Sequence, residues 1–174
     1  MVVTVDPMDL KILAELVENA KTTNVDIGRR LQIHPNVVAY RINKMEHAGI
    51  IKEYTTVLDF DKLGLPEQVY VGASLPRNSE RDDILTRIAE IPQTVSIISS
   101  LGSPESMVFL VAKNKDELDK VMSKLRNLNL EIKYTGSIIK TYQNGKMKNF
   151  LTLLAKEKDD ETNKKNLKEA IVTV

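Results

Sequence analysis

The chain has 174 residues, 42% of them hydrophobic and 28% charged, a soluble globular composition that suffices for one ordinary domain or two small ones. It has no cysteine, only two histidines and a formal net charge of +1, which excludes disulfides and cysteine catalysis and disfavours histidine-rich metal centres. No apolar run approaches the ~20 residues of a membrane span and no secretory signal is evident, so a cytoplasmic location is expected.

The first predicted helix lies in the stretch VDPMDLKILAELVENA. Asp6 is a suitable N-cap, Pro7 favours the first helical position, and Asp9 places an acid in the first turn. Apolar residues then recur at spacings of three and four, which indicates an amphipathic helix with one buried face. These apolar residues are Leu10, Leu13, Val17 and Ala20.

A second helix is predicted to begin at Thr23, because Asp26 follows three residues later and completes a pair that resembles a capping box. This helix is expected to turn Ile27 and Leu31 towards the interior. Gly28 is expected to permit the close approach of a neighbouring helix, since it carries no side chain. A short turn leads from this helix to the next.

The third predicted helix begins after His34, a candidate N-cap, and is expected to end at Gly49. At about 100° per residue, Val38, Ile42 and Met45 fall on one face. That face is expected to pack against the first two helices, which leaves the opposite face exposed to solvent.

The outer face of the third helix carries side chains suited to reading a DNA groove. Amides can bond to adenine edges, a small apolar group can meet a thymine methyl, and cations can meet guanine or phosphate. With the preceding helix and turn, this predicts a helix-turn-helix, although a plain three-helix scaffold with a solvated face would show a similar pattern. The predicted DNA-contacting residues are Asn36, Val37, Tyr40, Arg41, Asn43 and Lys44.

Charge is polarised along this part of the chain. Residues 6–28 carry five acids against two bases, whereas residues 29–52 carry five bases against one acid. Phosphate binding requires a local basic patch, whatever the total charge of the chain. Because the basic end coincides with the third helix, the polarity favours DNA binding over a plain scaffold.

The second half of the chain changes from helical to mixed patterns. Alternation around Ile51, Tyr54 and Val57 predicts an extended linker strand over residues 50–60, and Lys62–Pro66 breaks the chain. Strand and helix patterns then follow in the order βαββαβ, which is the ferredoxin-like arrangement. One face of such a sheet lacks helices, and face-to-face pairing of two copies would cover it and join two DNA-reading domains.

The chain resembles the leucine-responsive and asparagine-regulator (Lrp/AsnC, or feast/famine) family over about residues 5–143. The most specific part is VDIGRRLQIHPNVVAYRINKMEHAGIIKEYTTVLDFDKLG, with its Arg-Ile-x-x-Met-Glu-x-x-Gly-Ile-Ile run. The resemblance implies a transcription regulator that binds double-stranded DNA as a homodimer, and assembles into larger forms such as tetramers or octamers. It also implies a small effector such as an amino acid, and assigns residues 35–46 as the recognition helix.

Two short segments resemble the effector motifs of the family. LGSPES, residues 101–106, resembles Gly-x-x-Asp with Glu in the acidic position, and YTGS resembles Thr-x-Thr with Ser in the last position. In family members these positions line an amino-acid site between dimers, where a carboxylate would face the ligand amino group and hydroxyls its carboxylate. GSPE also fits an ordinary turn. The effector residues implied by the resemblance are Gly102, Ser103, Glu105, Thr135 and Ser137.

The predicted fold is α+β in four parts. A helix-turn-helix domain occupies residues 1–49, and the linker strand and boundary occupy residues 50–66. The ferredoxin-like effector and oligomerisation domain spans residues 67–144, and a C-terminal extension spans residues 145–174. Within the extension, FLTLLA fits either a strand or a helical turn, and the mixed-charge run KEKDDETNKK is expected to be solvated and mobile.

Two other functions compete with the regulator. An architectural DNA-binding protein without an effector would show the same polar helix face. Sirohaem decarboxylases resemble the family in architecture, so a helix-turn-helix-like front does not by itself establish DNA binding. The second domain contains no histidine and no Ser/His/Asp or paired-carboxylate constellation, so we predict no catalytic residues, metal or cofactor.

Overall fold

The computed structural model describes residues 4–76, 81–140 and 147–172, with side chains as far as residue 165. The chain divides into an N-terminal unit, Met1–Thr56 with Gln143–Val174, and a sheet unit, Val57–Tyr142. No helix in the described ranges is long and apolar enough to cross a membrane. In chain order the elements are α1 (Pro7–Glu18), α2 (Asn24–Leu31), α3 (Pro35–His47), β1 (Glu67–Ser74), α4 (Arg81–Ala89), β2 (Thr94–Ser99), β3 (Ser106–Ala112), α5 (Lys115–Arg126), β4 (Glu131–Ser137) and α6 (Lys148–Val172).

The first three helices begin at the residues that the sequence predicts. The Asp6 carboxylate accepts a hydrogen bond from the Asp9 backbone N–H at 2.8 Å, and the Asp9 carboxylate accepts one from the Asp6 N–H at 3.1 Å. Thr23 Oγ1 accepts from the Asp26 N–H, and His34 Nδ1 accepts from a backbone N–H two residues further on, both at 3.1 Å. Each cap thus satisfies a donor that the first helical turn leaves unpaired.

The inner face of α3 forms the centre of the helical core. Val38, Ile42 and Met45 are buried, as predicted, and they pack with Ile12, Leu16 and Ile27 of α1 and α2. Gly49 ends the helix in the left-handed conformation, with φ at +68°. The backbone N–H groups of Gly49 and Ile50 donate to carbonyls of the last helical turn, each at 2.9 Å. This hydrogen-bond pattern is a Schellman motif, and it sets the length of α3.

Gly28 lies where the turn after α2 returns against the helix. A Cβ built at this position would lie 2.6 Å from the carbonyl oxygen of Ile33 and 3.4 Å from the nitrogen of Pro35. Both atoms belong to the backbone, which cannot rotate away as a side chain would. Gly28 therefore permits the close packing that the sequence predicts.

We expect Gly28→Ala to destabilise the N-terminal unit by about 2 kcal/mol, because overpacking a backbone contact outweighs the roughly 1 kcal/mol by which alanine favours a helix. The thermal unfolding midpoint of this unit should fall by about 10 °C in circular dichroism. Arg29→Ala is the matched control, since it places alanine at an exposed position of the same helix. A midpoint at or above that of the wild type for Gly28→Ala would contradict the expectation.

The linker strand predicted over residues 50–60 is not observed. Residues 52–59 are irregular, and the described chain contains no strand between α3 and β1. An alternating pattern predicts which side chains face inward, but a strand also needs a neighbour to accept and donate its hydrogen bonds. No strand of the described chain pairs with this segment, so the alternation alone does not produce a ladder.

The described residues of the sheet unit have the predicted βαββαβ order, with four antiparallel strands arranged as β2-β3-β1-β4. The core residues of β1 are Val69, Val71 and Ala73, which alternate along the strand, and the neighbouring strand β3 adds Val108 and Leu110. Together with α4 and α5 they form one core, whose largest fully buried members include Val69, Val71, Ile88, Val108, Leu110 and Leu125. Both helices therefore cover the same face of the sheet.

The other face of the sheet carries aromatic side chains, and no helix in the described part of the sheet unit covers it. Tyr70 stacks on Phe109 with ring centroids 4.9 Å apart, and Phe60 meets Phe109 edge-on at 5.8 Å. Tyr134 lies over Gly72, where an added Cβ would come within 2.4 Å of its ring. Tyr70 and Tyr134 remain 36% and 44% exposed. This helix-free face is the one for which the ferredoxin-like pattern predicts packing against a second copy.

The C-terminal extension forms α6, a helix of 25 residues that packs on α1. Leu151 and Ala155 are buried in a cluster with Leu10 and Ala14 of α1. Most of the run KEKDDETNKK is exposed, as expected of a solvated segment, and its residues continue the helix; its mobility stays a prediction. Lysine and glutamate favour helices, and apolar packing against α1 stabilises the preceding turns of α6. The helix therefore extends through the charged run.

Candidate nucleic-acid interface

The outer face of α3 is an exposed stripe on a helix whose inner face is fixed in the core. Tyr40 is 69% exposed and Val37 is 42% exposed, and Asn36 and Asn43 are also exposed. Lys44 is half-buried. Residues three and four positions apart share one side of a helix, so these five predicted residues form one continuous surface. The surface offers amide, phenol, methyl and ammonium groups to a ligand.

Arg41, the sixth predicted DNA contact, lies in an intramolecular ion pair. Its Nη1 donates to Asp6 Oδ2 at 2.5 Å and to Asp9 Oδ1 at 2.7 Å. The Asp9 side chain is 1% exposed, and a buried carboxylate is costly unless it is paired. Arg41 therefore connects α3 to the N-terminal end of α1. Its assignment as a DNA contact stays a prediction, and the ion pair weighs against it.

The ion pair keeps both of its charges. Burial raises the pKa of Asp6, but hydrogen bonds from the Arg41 side chain and from the Asp9 backbone outweigh this effect and hold the pKa below its usual value. The hydrogen bond to Asp6 likewise raises the pKa of Arg41. The link between α1 and α3 is thus charged on both sides near neutral pH.

We expect Asp6→Asn to lower the unfolding midpoint of the N-terminal unit at pH 7, and the difference from the wild type to vanish in acid. A folded-state pKa below the unfolded one contributes stability above about pH 4, and this contribution is lost as the pH falls through the folded-state pKa. Asparagine is also a good N-cap, so the variant removes the charge and keeps the cap. Thermal unfolding between pH 7 and pH 2 measures the effect.

Asp160→Asn is the control for the loss of one negative charge, because this carboxylate is exposed on α6. If Asp6→Asn gave a curve parallel to that of the wild type at every pH, the ion pair would not contribute in this way.

Two further polar residues of the N-terminal unit, Arg29 and Tyr54, are absent from the predicted set. Arg29 on α2 has a side chain that is 75% exposed, 3.4 Å from Asp26, and its place in the basic run 29–52 was the available signal. Tyr54 donates its hydroxyl to Glu46 at 2.8 Å. Burial, and then the hydrogen bond to Glu46, raise the pKa of Tyr54 to about 12, so the phenol stays protonated and ties the linker to α3.

The predicted effector loop is the turn between β2 and β3. Gly102 adopts φ +116°, and Ser103 is exposed. Glu105 Oε2 accepts a hydrogen bond from the Leu75 backbone N–H at 2.9 Å, so this carboxylate already braces the end of β1. The loop backbone closes through the Ser100 N–H, which donates to the Glu105 carbonyl at 2.8 Å.

The predicted effector hydroxyls lie on β4, away from that loop. Thr135 and Ser137 are exposed and stand opposite Val71 and Val69, on the face that carries α4 and α5. The strands β3 and β4 flank β1, so about 10 Å of sheet separates β4 from the strand that the loop enters. One chain therefore does not bring the two groups of predicted effector residues together.

Comparison with known proteins gives matches along most of the chain. Residues 5–52 match a family model described as winged helix-turn-helix DNA-binding. The transcriptional regulator AzlB of Bacillus subtilis is 30% identical over 118 residues, which covers 67% of this chain and 75% of AzlB. The HTH-type transcriptional regulator LrpC of the same organism is 28% identical over 119 residues, covering 68% and 82%.

Solved structures share the fold across both units. The structure of B. subtilis LrpC matches with a TM-score of 0.71 and 24% identity, covering 82% of this chain and 99% of LrpC. The complex of the transcriptional regulator NMB0573 from Neisseria meningitidis with L-Met matches with a TM-score of 0.73 and 21% identity, covering 82% and 94%.

Proposed function

This chain belongs to the leucine-responsive and asparagine-regulator (Lrp/AsnC) family of transcription regulators, and we propose that it recognises a specific double-stranded DNA sequence through the outer face of α3. The observation that carries the proposal is the exposed stripe containing Asn36, Val37 and Tyr40, on a helix whose opposite face is buried. A phenol or amide held rigidly on a helix can read base edges in the major groove.

We propose that the helix-free face of the sheet joins two copies. Tyr70 and Tyr134 expose aromatic surface there, and such surface is stabilised when a second apolar face excludes water from it. A two-fold pairing through this face would give one molecule with two reading helices, suited to a pseudo-palindromic site. The family as a whole supports both DNA binding and oligomerisation for this chain.

We propose an amino acid as the effector. The Neisseria meningitidis neighbour was solved with L-Met, which supports a small-molecule ligand of this class. Because Thr135 and Ser137 lie two strands away from the Gly102–Glu105 loop, a site using both groups would draw them from different copies. The Glu105 carboxylate would then have two roles: it would accept the hydrogen bond from the Leu75 backbone at the end of β1, and it would contact the ligand.

Selection of bound fragments from a random DNA library tests the proposal, and repeating it with each amino acid at millimolar concentration tests the effector. We expect enrichment of one partly palindromic sequence, and a change in its affinity or in oligomer size with at least one amino acid. Equal affinity for selected and random DNA would contradict the sequence-specific function and favour an architectural protein. The curated relatives are transcription regulators, which supports a non-enzymatic role over a sirohaem-decarboxylase-like one.

A further inference from the structure

The helix α6 contacts α1 through polar as well as apolar groups. Beyond the buried cluster of Leu151 and Ala155, Lys158 Nζ donates to the backbone carbonyl of Val5 at 2.6 Å. One residue further, Asp159 pairs with Lys11 of α1 at 2.8 Å. These contacts hold α6 against both the body and the N-terminal end of α1.

The N-terminal end of α1 is also where the recognition helix is tied. Val5, which accepts from Lys158, directly precedes Asp6 in the chain. The Asp6 carboxylate caps α1 and accepts a hydrogen bond from Arg41 of α3. A continuous set of contacts therefore runs from α6, through the cap of α1, to the recognition helix α3. None of these contacts involves the exposed stripe of Asn36, Val37, Tyr40 and Asn43.

We propose that α6 positions the recognition helix for sequence-specific DNA binding by fixing the N-terminal end of α1, and that Lys158 and Arg41 act as positioning residues in this role. The inference rests on the proposed function. Base readout requires side chains held to within about 0.5 Å and 10–20° of the productive geometry. Attraction to phosphates depends mainly on charge and tolerates small rotations. Loss of the α6 contacts should therefore reduce specific binding much more than random binding.

Ala155→Glu in the full chain tests the proposal, because a charge in the buried cluster displaces α6 from α1. Leu153→Glu is the matched control, since it adds the same charge to the same helix at a position that is 51% exposed. For Ala155→Glu we expect about tenfold weaker binding to the selected DNA site, with binding to random DNA changed less than about twofold. Leu153→Glu should match the wild type in both measurements.

Hydrogen exchange separates positioning from unfolding. In Ala155→Glu, the amides of α6 should exchange faster while those in the middle of α3 keep their protection. Displacement of α6 with unchanged affinity for the selected site would overturn the inference. A wild-type protein that does not discriminate between selected and random DNA would instead overturn the proposed function, so the two failures are distinguishable.

Lys158→Met supplies a second test if Ala155→Glu unfolds the N-terminal unit. It removes the donor to the Val5 carbonyl and leaves the buried cluster intact. We expect about threefold weaker specific binding, and Lys158→Arg should restore most of it because arginine can donate to the same carbonyl. Equal specific binding by the methionine and arginine variants would also overturn the inference.

Discussion

Tyr40→Ala is expected to lower the ratio of specific to random DNA affinity at least tenfold while the protein stays folded. The phenol is 69% exposed and makes no contribution to the helical core, so its removal should leave stability almost unchanged. A well-placed contact to a base edge contributes about 1–3 kcal/mol of discrimination, and 1.4 kcal/mol is a factor of about ten. Competition binding between the selected site and random DNA measures the ratio directly.

Lys44→Ala on the same helix gives the contrasting result. An ammonium that contacts phosphate attracts every sequence, so its loss should weaken specific and random binding alike. The slope of log affinity against log salt should decrease in magnitude by about one. Leu153→Ala, exposed on α6, is the control for both variants. An unchanged ratio of specific to random DNA affinity in Tyr40→Ala would contradict the assignment of α3 as the helix that reads the DNA sequence.

If two copies pair through the helix-free face as proposed, Tyr70→Glu is expected to leave the protein monomeric and to weaken binding to a two-half-site DNA by at least a hundredfold. Tyr70 lies on the central strand β1 and stacks on Phe109 in the helix-free face. In a monomer the new carboxylate would stay hydrated, whereas face-to-face pairing would bury it without a partner, at a cost of several kcal/mol. Losing the second reading helix then removes half of the DNA contacts.

Sedimentation velocity measures the oligomeric state, and binding to one or two half-sites measures the functional loss. Ser123→Glu adds the same charge on the exposed side of α5 and should remain dimeric. Tyr70→Phe keeps the ring and should also remain dimeric. A dimeric Tyr70→Glu would show that the two copies associate through a different surface.

The features that the sequence predicts well are those decided by near neighbours. The caps at Asp6, Thr23 and His34 depend on groups two or three residues away, and the end of α3 depends on a glycine that tolerates positive φ. The buried face of α3 follows from helical periodicity, and the βαββαβ order follows from the alternation of strand and helix patterns. Each of these signals lies within one element or its boundary.

The features that escape the sequence depend on residues far apart in the chain. Arg41 pairs with Asp6 and Asp9, which lie 35 and 32 residues away, and the periodicity of α3 carries no signal of that pair. The packing of α6 on α1 joins residues that are even further apart in the chain, because Lys11 pairs with Asp159, 148 residues away. Leu151, Leu154 and Ala155 do show helical spacing, but six residues are too few to separate a helix from a strand.

The Schellman motif at Gly49 limits how much sequence information one copy can read. It stops α3 after 13 residues, and the exposed part of the stripe amounts to four side chains: Asn36, Val37, Tyr40 and Asn43. At about one base pair per side chain, a dimer would specify roughly eight base pairs, which recur by chance about once in 10⁵ positions. A genome offers on the order of 10⁶–10⁹ competing positions, so one dimer would not select a single genomic site, and at least two dimers on adjacent sites would be needed.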